Sequence, residues 1–228
     1  MILNHDARRP LELPARPTIP IAYLSVGEAE ASRPYWPQVR GKTFVVEPNP
    51  TWPDNVRVDI RDRRWQSILL DGEVPRLLAQ GYAGVMLDTL DIAPYLERKD
   101  PVRFAGCRQA LAEFLSVLRR QFPSAILLAN GTETLVDAAP YVDGYVTEGI
   151  FATYDLAPLA YRQTTEVERG WRLSQVNAAL ARARRPVFSI EYAPATAAPA
   201  GLSEWAERRA REHGFRPFVT TRELDRRP

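Results

Sequence analysis

The chain has 228 residues, 45% of them hydrophobic and 25% charged, and its 30 basic and 28 acidic side chains leave a net charge of +2. That composition excludes collagen-like and disordered chains, and the length suffices for one large core. The near-balanced charge excludes a nucleic-acid footprint, and no apolar run approaches the roughly 18 residues of a membrane span.

The first twenty residues carry Pro10, Pro14, Pro17 and Pro20. They read as a proline-rich leading segment (1–20) before a single domain (21–228). The opening MILNHDARRP turns polar after three residues, which is not the pattern of a signal peptide, so as written the chain is expected in the cytoplasm. Beyond it, strands are predicted at Ile21–Val26, Thr43–Val46, Val56–Ile60, Gly84–Asp88, Ala125–Asn130, Gly144–Glu148, Val187–Tyr192 and Arg216–Thr220. Most are near-continuously apolar, as befits parallel strands covered on both faces.

Helical patterns lie between them. In Cys107–Phe122, the residues Leu111, Phe114, Leu115 and Leu118 make one apolar stripe. Trp171–Arg184 carries Leu173, Val176 and Leu180 at similar spacing. Ser203 is expected to cap a last helix, with Glu204 and Glu207 in its first turn and Gly214 beyond its end. A proline- and alanine-rich loop, Ala193–Gly201, precedes it. The βα rhythm predicts an α/β fold, a (β/α)8 TIM-like barrel, because no phosphate loop follows the first strand as a doubly wound sheet would lead one to expect. Its first βα unit is shortened or missing, with Met1–Asn4 supplying a stunted strand at most. Thr43–Val46 is read as an edge piece outside the barrel.

Scarcity narrows the chemistry. The two histidines, His5 and His213, leave little material for a triad or a two-His metal site, and Cys107 opens an amphipathic helix as a structural thiol. Lys42 precedes a strand and Lys99 sits in a charged loop, so Schiff-base catalysis has no candidate. There is no GxSxG, P-loop or GxGxxG motif, and no cofactor is predicted.

Carboxylates remain. The strong strands end in Glu28, Asp59, Asp88, Asn130, Glu148 and Glu191. Helix capping explains Asp and Asn in such places but not Glu. In a barrel these ends converge on one mouth, where such folds keep their active sites. Paired carboxylates suit glycosidic cleavage, or the holding of Mg²⁺ or Ca²⁺. Tyr35, Trp36, Trp52, Phe151, Tyr154 and Tyr192 follow the acid-bearing strands, and aromatic faces there suit sugar rings. The residues alone thus leave open a glycosidase, a catalytically silent carbohydrate-binding barrel and a divalent-metal hydrolase.

IAYLSVGEAE (Ile21–Glu30), VRVDI (Val56–Ile60), GYAGVMLDTLD (Gly81–Asp91), ILLANG (Ile126–Gly131), GYVTEGIF (Gly144–Phe151) and SIEY (Ser189–Tyr192) together resemble glycoside hydrolase family 114. That resemblance implies hydrolysis of α-1,4-linked galactosamine polymers by acids on the fourth and sixth barrel strands. It makes Asp88 the nucleophile and Glu148 the general acid/base of a retaining mechanism, with Asp91 orienting a sugar hydroxyl. Tyr23, Glu28, Arg33, Tyr35, Trp36, Asp59, Asn130, Tyr154, Glu191 and Tyr192 would line the sugar subsites. The partner implied is an amino-sugar polysaccharide, met by a monomer without cofactor or metal. Family members are usually exported, against the cytoplasmic reading of the opening residues. Thr89 stands in LDTLD where the family usually has Asn.

Overall fold

The computed structural model describes residues 1–3, 18–157, 159–194, 200–222 and 224. Pro10, Pro14, Pro17, His5 and most of the loop predicted at 193–201 lie outside the described residues. The chain divides into two compact units, Met1–Ala129 and Asn130–Pro228. Among the described residues, no helix is long and apolar enough to cross a membrane.

The first unit runs β1 (Ile2–Leu3), β2 (Ile21–Ser25), β3 (Glu28–Glu30), α1 (Trp36–Val39), β4 (Val45–Pro48), β5 (Asn55–Val58) and α2 (Arg63–Ser67). A π-helical stretch (Ile68–Glu73) then leads to α3 (Val74–Ala79), β6 (Gly84–Asp88), α4 (Ile92–Lys99), α5 (Cys107–Gln121) and β7 (Ile126–Asn130). Four strands pair in parallel in the order β1-β2-β6-β7, with Ile2 opposite Ile21, Ile21 opposite Gly84, and Gly84 opposite Ile126. The apolar runs are buried as their composition requires: Ile21, Ala22, Leu24, Val85, Leu87 and Leu127 are all core residues. The α5 stripe of Leu111, Phe114, Leu115 and Leu118 is buried as predicted. Cys107 is buried beside it, and burial pushes its thiol up to about 12, far from a nucleophile's range.

Val56–Ile60 was expected as a barrel strand, yet β5 pairs antiparallel with both β3 and β4 in a separate three-stranded ribbon. Only residues 49–54 separate β4 from β5, too few for a parallel crossover and enough for a hairpin. The Thr43–Val46 segment does lie outside the parallel ladder, as β4 of this ribbon. Asp88 therefore ends the third parallel strand of its unit rather than the fourth. The stunted first strand is present as the two residues of β1.

The second unit holds a 3-10 turn (Thr132–Thr134), α6 (Leu135–Ala138), β8 (Gly144–Glu148), β9 (Ala152–Asp155), β10 (Ala160–Gln163), α7 (Glu166–Arg182), β11 (Val187–Tyr192), α8 (Leu202–Glu212) and β12 (Arg216–Thr220). The strands β8, β11 and β12 pair in parallel in that order. The Tyr145 hydroxyl donates to the carbonyls of Ala179 and Ala183 (3.2 and 2.9 Å), which ties β8 to the end of α7.

Three features of this unit escaped the sequence. β9 and β10 form an antiparallel hairpin after β8. The helix predicted from Trp171 begins at Glu166, behind a capping box in which Thr165 and Glu168 satisfy each other's backbone N–H. Its first turns expose Val167 and Trp171, so the apolar periodicity starts late. The last helix is capped not by Ser203 but at Gly201, whose φ of +78° turns the chain two residues earlier.

Strand spacing sets a sharp contrast between two glycines. A Cβ on Gly84 would lie 1.9 Å from the Ile126 carbonyl oxygen on the neighbouring strand, whereas one on Gly170 of α7 meets nothing within 4 Å. Gly84→Ala is expected to cost at least about 2 kcal/mol, and Gly170→Ala to stabilise by about 0.5–1 kcal/mol. Urea denaturation of the two variants checks both signs.

Candidate active site

In the first unit the candidate nucleophile ends β6. Asp88 is half-buried, and the register sets it opposite Ser25, the last residue of β2. Tyr23 lies two residues earlier on β2 and so shares a face with Ser25. Its hydroxyl hydrogen-bonds the Asp88 carboxylate and Ser25. Burial, then the neighbouring Asp88 charge, pushes the Tyr23 phenol far above its ordinary value, so it stays protonated.

Thr89 secures the position. It has a φ of +59°, a conformation costly for a β-branched residue. Its hydroxyl contacts Ser25 Oγ (2.8 Å), takes the Gly27 N–H (2.8 Å) and donates to the Asp88 carbonyl (2.7 Å). The strained backbone thus aims one hydroxyl at the Gly27 N–H, at Ser25 and at the Asp88 carbonyl, which also accepts the Val26 N–H at 3.0 Å. Gly27 makes room, since a Cβ there would lie 2.2 Å from the Thr89 carbonyl oxygen.

The other first-unit candidates are drawn into the protein. Glu28 is almost wholly buried and accepts from Asn49 Nδ2 (2.8 Å) and Asn55 Nδ2 (3.1 Å), binding the ribbon rather than opening to a subsite. Arg33 is buried and grips Glu30 with two bonds of 2.6 and 2.8 Å. Tyr35 is buried edge-on to Trp65 at 5.5 Å. Asp59 pairs with Arg61, whose guanidinium also reaches the carbonyls of Arg103 and Ala105. These four were expected to line subsites, and the structure gives each an internal partner. Trp36 is half-exposed at the start of α1, Trp52 is exposed, and Asp91 is exposed at the N-cap of α4.

In the second unit the candidate acid/base ends β8. Asn130 Nδ2 donates to Glu148 Oε1 at 2.6 Å, and the Tyr192 hydroxyl donates to Oε2 at 2.5 Å. Each carboxylate oxygen keeps a further lone pair, and the side chain is half-buried, so it is both oriented and reachable. Asn130 and Tyr192, expected from the sequence to face sugar, here touch Glu148.

Alternation along β11 separates neighbours. Tyr192 is half-exposed and Glu191 is fully buried on the opposite face. Glu191 was expected among the subsites. Instead its Oε2 accepts the backbone N–H groups of Phe151 (2.9 Å) and Ala152 (2.8 Å), and Ser189 donates to its other oxygen. Burial pushes this carboxyl up to about 7. Phe151 is core, packed on Trp205, His213 and Phe215. Tyr154 packs on Tyr161 at 4.8 Å and lies under the Arg222 guanidinium. Ser25, Thr164 and Arg172 escaped the sequence reading, because a lone hydroxyl or arginine carries no motif.

The sequence model of Glycoside-hydrolase family GH114 matches residues 3–227. An uncharacterized protein of Deinococcus radiodurans is 31% identical over 212 residues, covering 90% of this chain and 65% of that protein. The chain spans about two thirds or less of the length of the curated relatives it matches. The glycoside hydrolase domain of PelA from Pseudomonas aeruginosa is 32% identical with a TM-score of 0.74, covering 92% of this chain and 80% of that one. Ega3 of Aspergillus fumigatus, solved in complex with galactosamine, is 16% identical with a TM-score of 0.66, covering 90% of this chain and 75% of that one. The latter likeness is one of fold. The mixed α/β, parallel-strand class expected from the sequence is the one these structures share.

Glu191 supplies a pH test. Its folded-state value near 7 lies above the 4.5 of a free Glu, so between these values the folded chain holds a proton that the unfolded chain releases. Stability therefore falls as pH rises through that window and levels off above it. The expected loss relative to Glu191→Gln, which does not titrate, is on the order of 3 kcal/mol. Denaturant unfolding of both proteins across the window measures it.

Proposed function

We propose, from the premise that the chain belongs to glycoside hydrolase family 114, that it hydrolyses α-1,4-linked galactosamine-type polysaccharide by a two-carboxylate, retaining mechanism. Glu148 protonates the glycosidic oxygen while Asp88 attacks the anomeric carbon and forms a glycosyl ester. Glu148 then takes a proton from water, the hydroxide adds to the anomeric carbon, and Asp88 leaves as carboxylate. Both acids belong to one chain, so a monomer suffices.

The observation that carries this reading is the setting of Glu148. A half-buried carboxyl at the end of a parallel strand, with a donor on each oxygen, is oriented for proton transfer rather than spent in an ion pair. Asp88 supports it from the other unit: it too ends a parallel strand, with the Tyr23 phenol as donor. The acids with internal partners, Glu28, Asp59 and Glu191, are set aside as chemistry-bearing groups. The galactosamine bound to Ega3 supports an amino-sugar substrate, and the glycoside hydrolase domain of PelA supports glycosidic hydrolysis. Carboxylates also attract protonated amines, so turnover on a cationic polymer is expected to weaken with salt.

The reading is tested by reducing-end release from galactosamine oligomers. Asp88→Asn and Glu148→Gln are each expected to lower kcat about a thousandfold or more, and NMR of the first product should show the α-anomer. Full activity in both variants would remove the assignment. Oligosaccharide affinity without turnover in the wild type would favour a silent binding protein.

A further inference from the structure

The turn that follows Glu148 has few ladder partners, so its backbone groups must be satisfied otherwise. Gly149 leaves the strand with a φ of +60°, and its N–H donates to the Ile190 carbonyl at 2.8 Å. Its carbonyl accepts from Arg172 Nη1. The Ile150 carbonyl accepts from Thr164 Oγ1 at 2.7 Å, and the Phe151 carbonyl from the Thr164 N–H at 2.8 Å. The N–H groups of Phe151 and Ala152 both go to Glu191. One buried carboxylate, one hydroxyl and one guanidinium therefore hold residues 149–152.

We propose that Glu191 is a positioning residue for Glu148, clamping the turn that begins at the next residue so that the Glu148 carboxyl meets Asn130 and Tyr192. The inference rests on the reading of Glu148 as the acid/base. Burying a carboxyl is costly, and an apolar residue would fill the same space more cheaply unless two N–H groups depended on it. No residue intervenes between Glu148 and Gly149, so a displaced turn moves the Glu148 backbone directly. The bonds at risk are those to Asn130 and Tyr192. Tyr192 orients Glu148 by touch, and its neighbour Glu191 does so through the turn. A glutamine at 191 retains an oxygen for both N–H groups and a donor for Ser189.

The experiment compares Glu191→Ala, Glu191→Gln and Thr164→Val. It measures kcat and KM on galactosamine oligomers, and the titration of the ¹³C-labelled Glu148 carboxyl by NMR. Glu191→Ala is expected to lower kcat by about tenfold to a hundredfold with KM nearly unchanged, as a small misplacement of a reacting group does. Glu191→Gln should stay within about threefold of wild type. The Glu148 titration should shift in Glu191→Ala and return in Glu191→Gln. A folded Glu191→Ala with wild-type kcat and an unshifted Glu148 titration would reduce Glu191 to a merely structural role and overturn the proposal. If Glu191→Ala does not fold, Thr164→Val removes the hydroxyl that holds the Ile150 carbonyl, and the same two readouts decide. If the wild type turns over no galactosamine oligomer, the functional reading falls, and the Glu148 titration alone then decides whether the clamp positions it.

Discussion

Where a parallel strand runs past its neighbour, the ladder stops and the next backbone N–H and C=O groups must find partners elsewhere. Both candidate carboxylates sit at such ends, and each is fixed by the side chain that supplies the missing partner. After β2 and β6 it is the Thr89 hydroxyl, which takes the Gly27 N–H and reaches Ser25. After β8 it is Glu191, which takes the N–H groups of Phe151 and Ala152. The residues that finish the backbone accounting also determine where Asp88 and Glu148 point.

This separates two populations of acid that look alike in the sequence. Glu28, Asp59 and Glu191 have donors or cations drawn tightly around them and hold loops to strands. Asp88 and Glu148 are half-buried, with the Tyr23 phenol donating to Asp88 and with Asn130 and Tyr192 donating to Glu148. A carboxylate that is wholly buried, as Glu28 and Glu191 are, or closely paired with arginine, as Asp59 is, cannot meet a substrate, whereas a half-buried one held by hydrogen-bond donors is oriented yet still able to exchange a proton. The enrichment of acids at strand ends thus has two causes, a structural one and a chemical one.

Much of the framework was legible because burial on both faces leaves a local trace. Gly84–Asp88, Gly144–Glu148, Val187–Tyr192 and Arg216–Thr220 were all recognisable as short apolar runs with the observed bounds. The ribbon was not, since an alternating segment such as Asn55–Val58 pairs as its short link permits, which apolar content does not reveal. The β9–β10 hairpin and the start of α7 were missed because their residues are half-exposed or polar.

The sequence by itself determined the parallel strands, the acids at their ends and the family, because each is carried by a run of neighbouring residues. Only the tertiary structure decided which acids serve the fold. That choice depends on partners far along the chain, such as Asn49 and Asn55 for Glu28 or the turn at residues 149–152 for Glu191, and on which face of a strand each side chain occupies. A carboxyl's chemistry is set by its surroundings, and those surroundings are assembled only when distant segments meet.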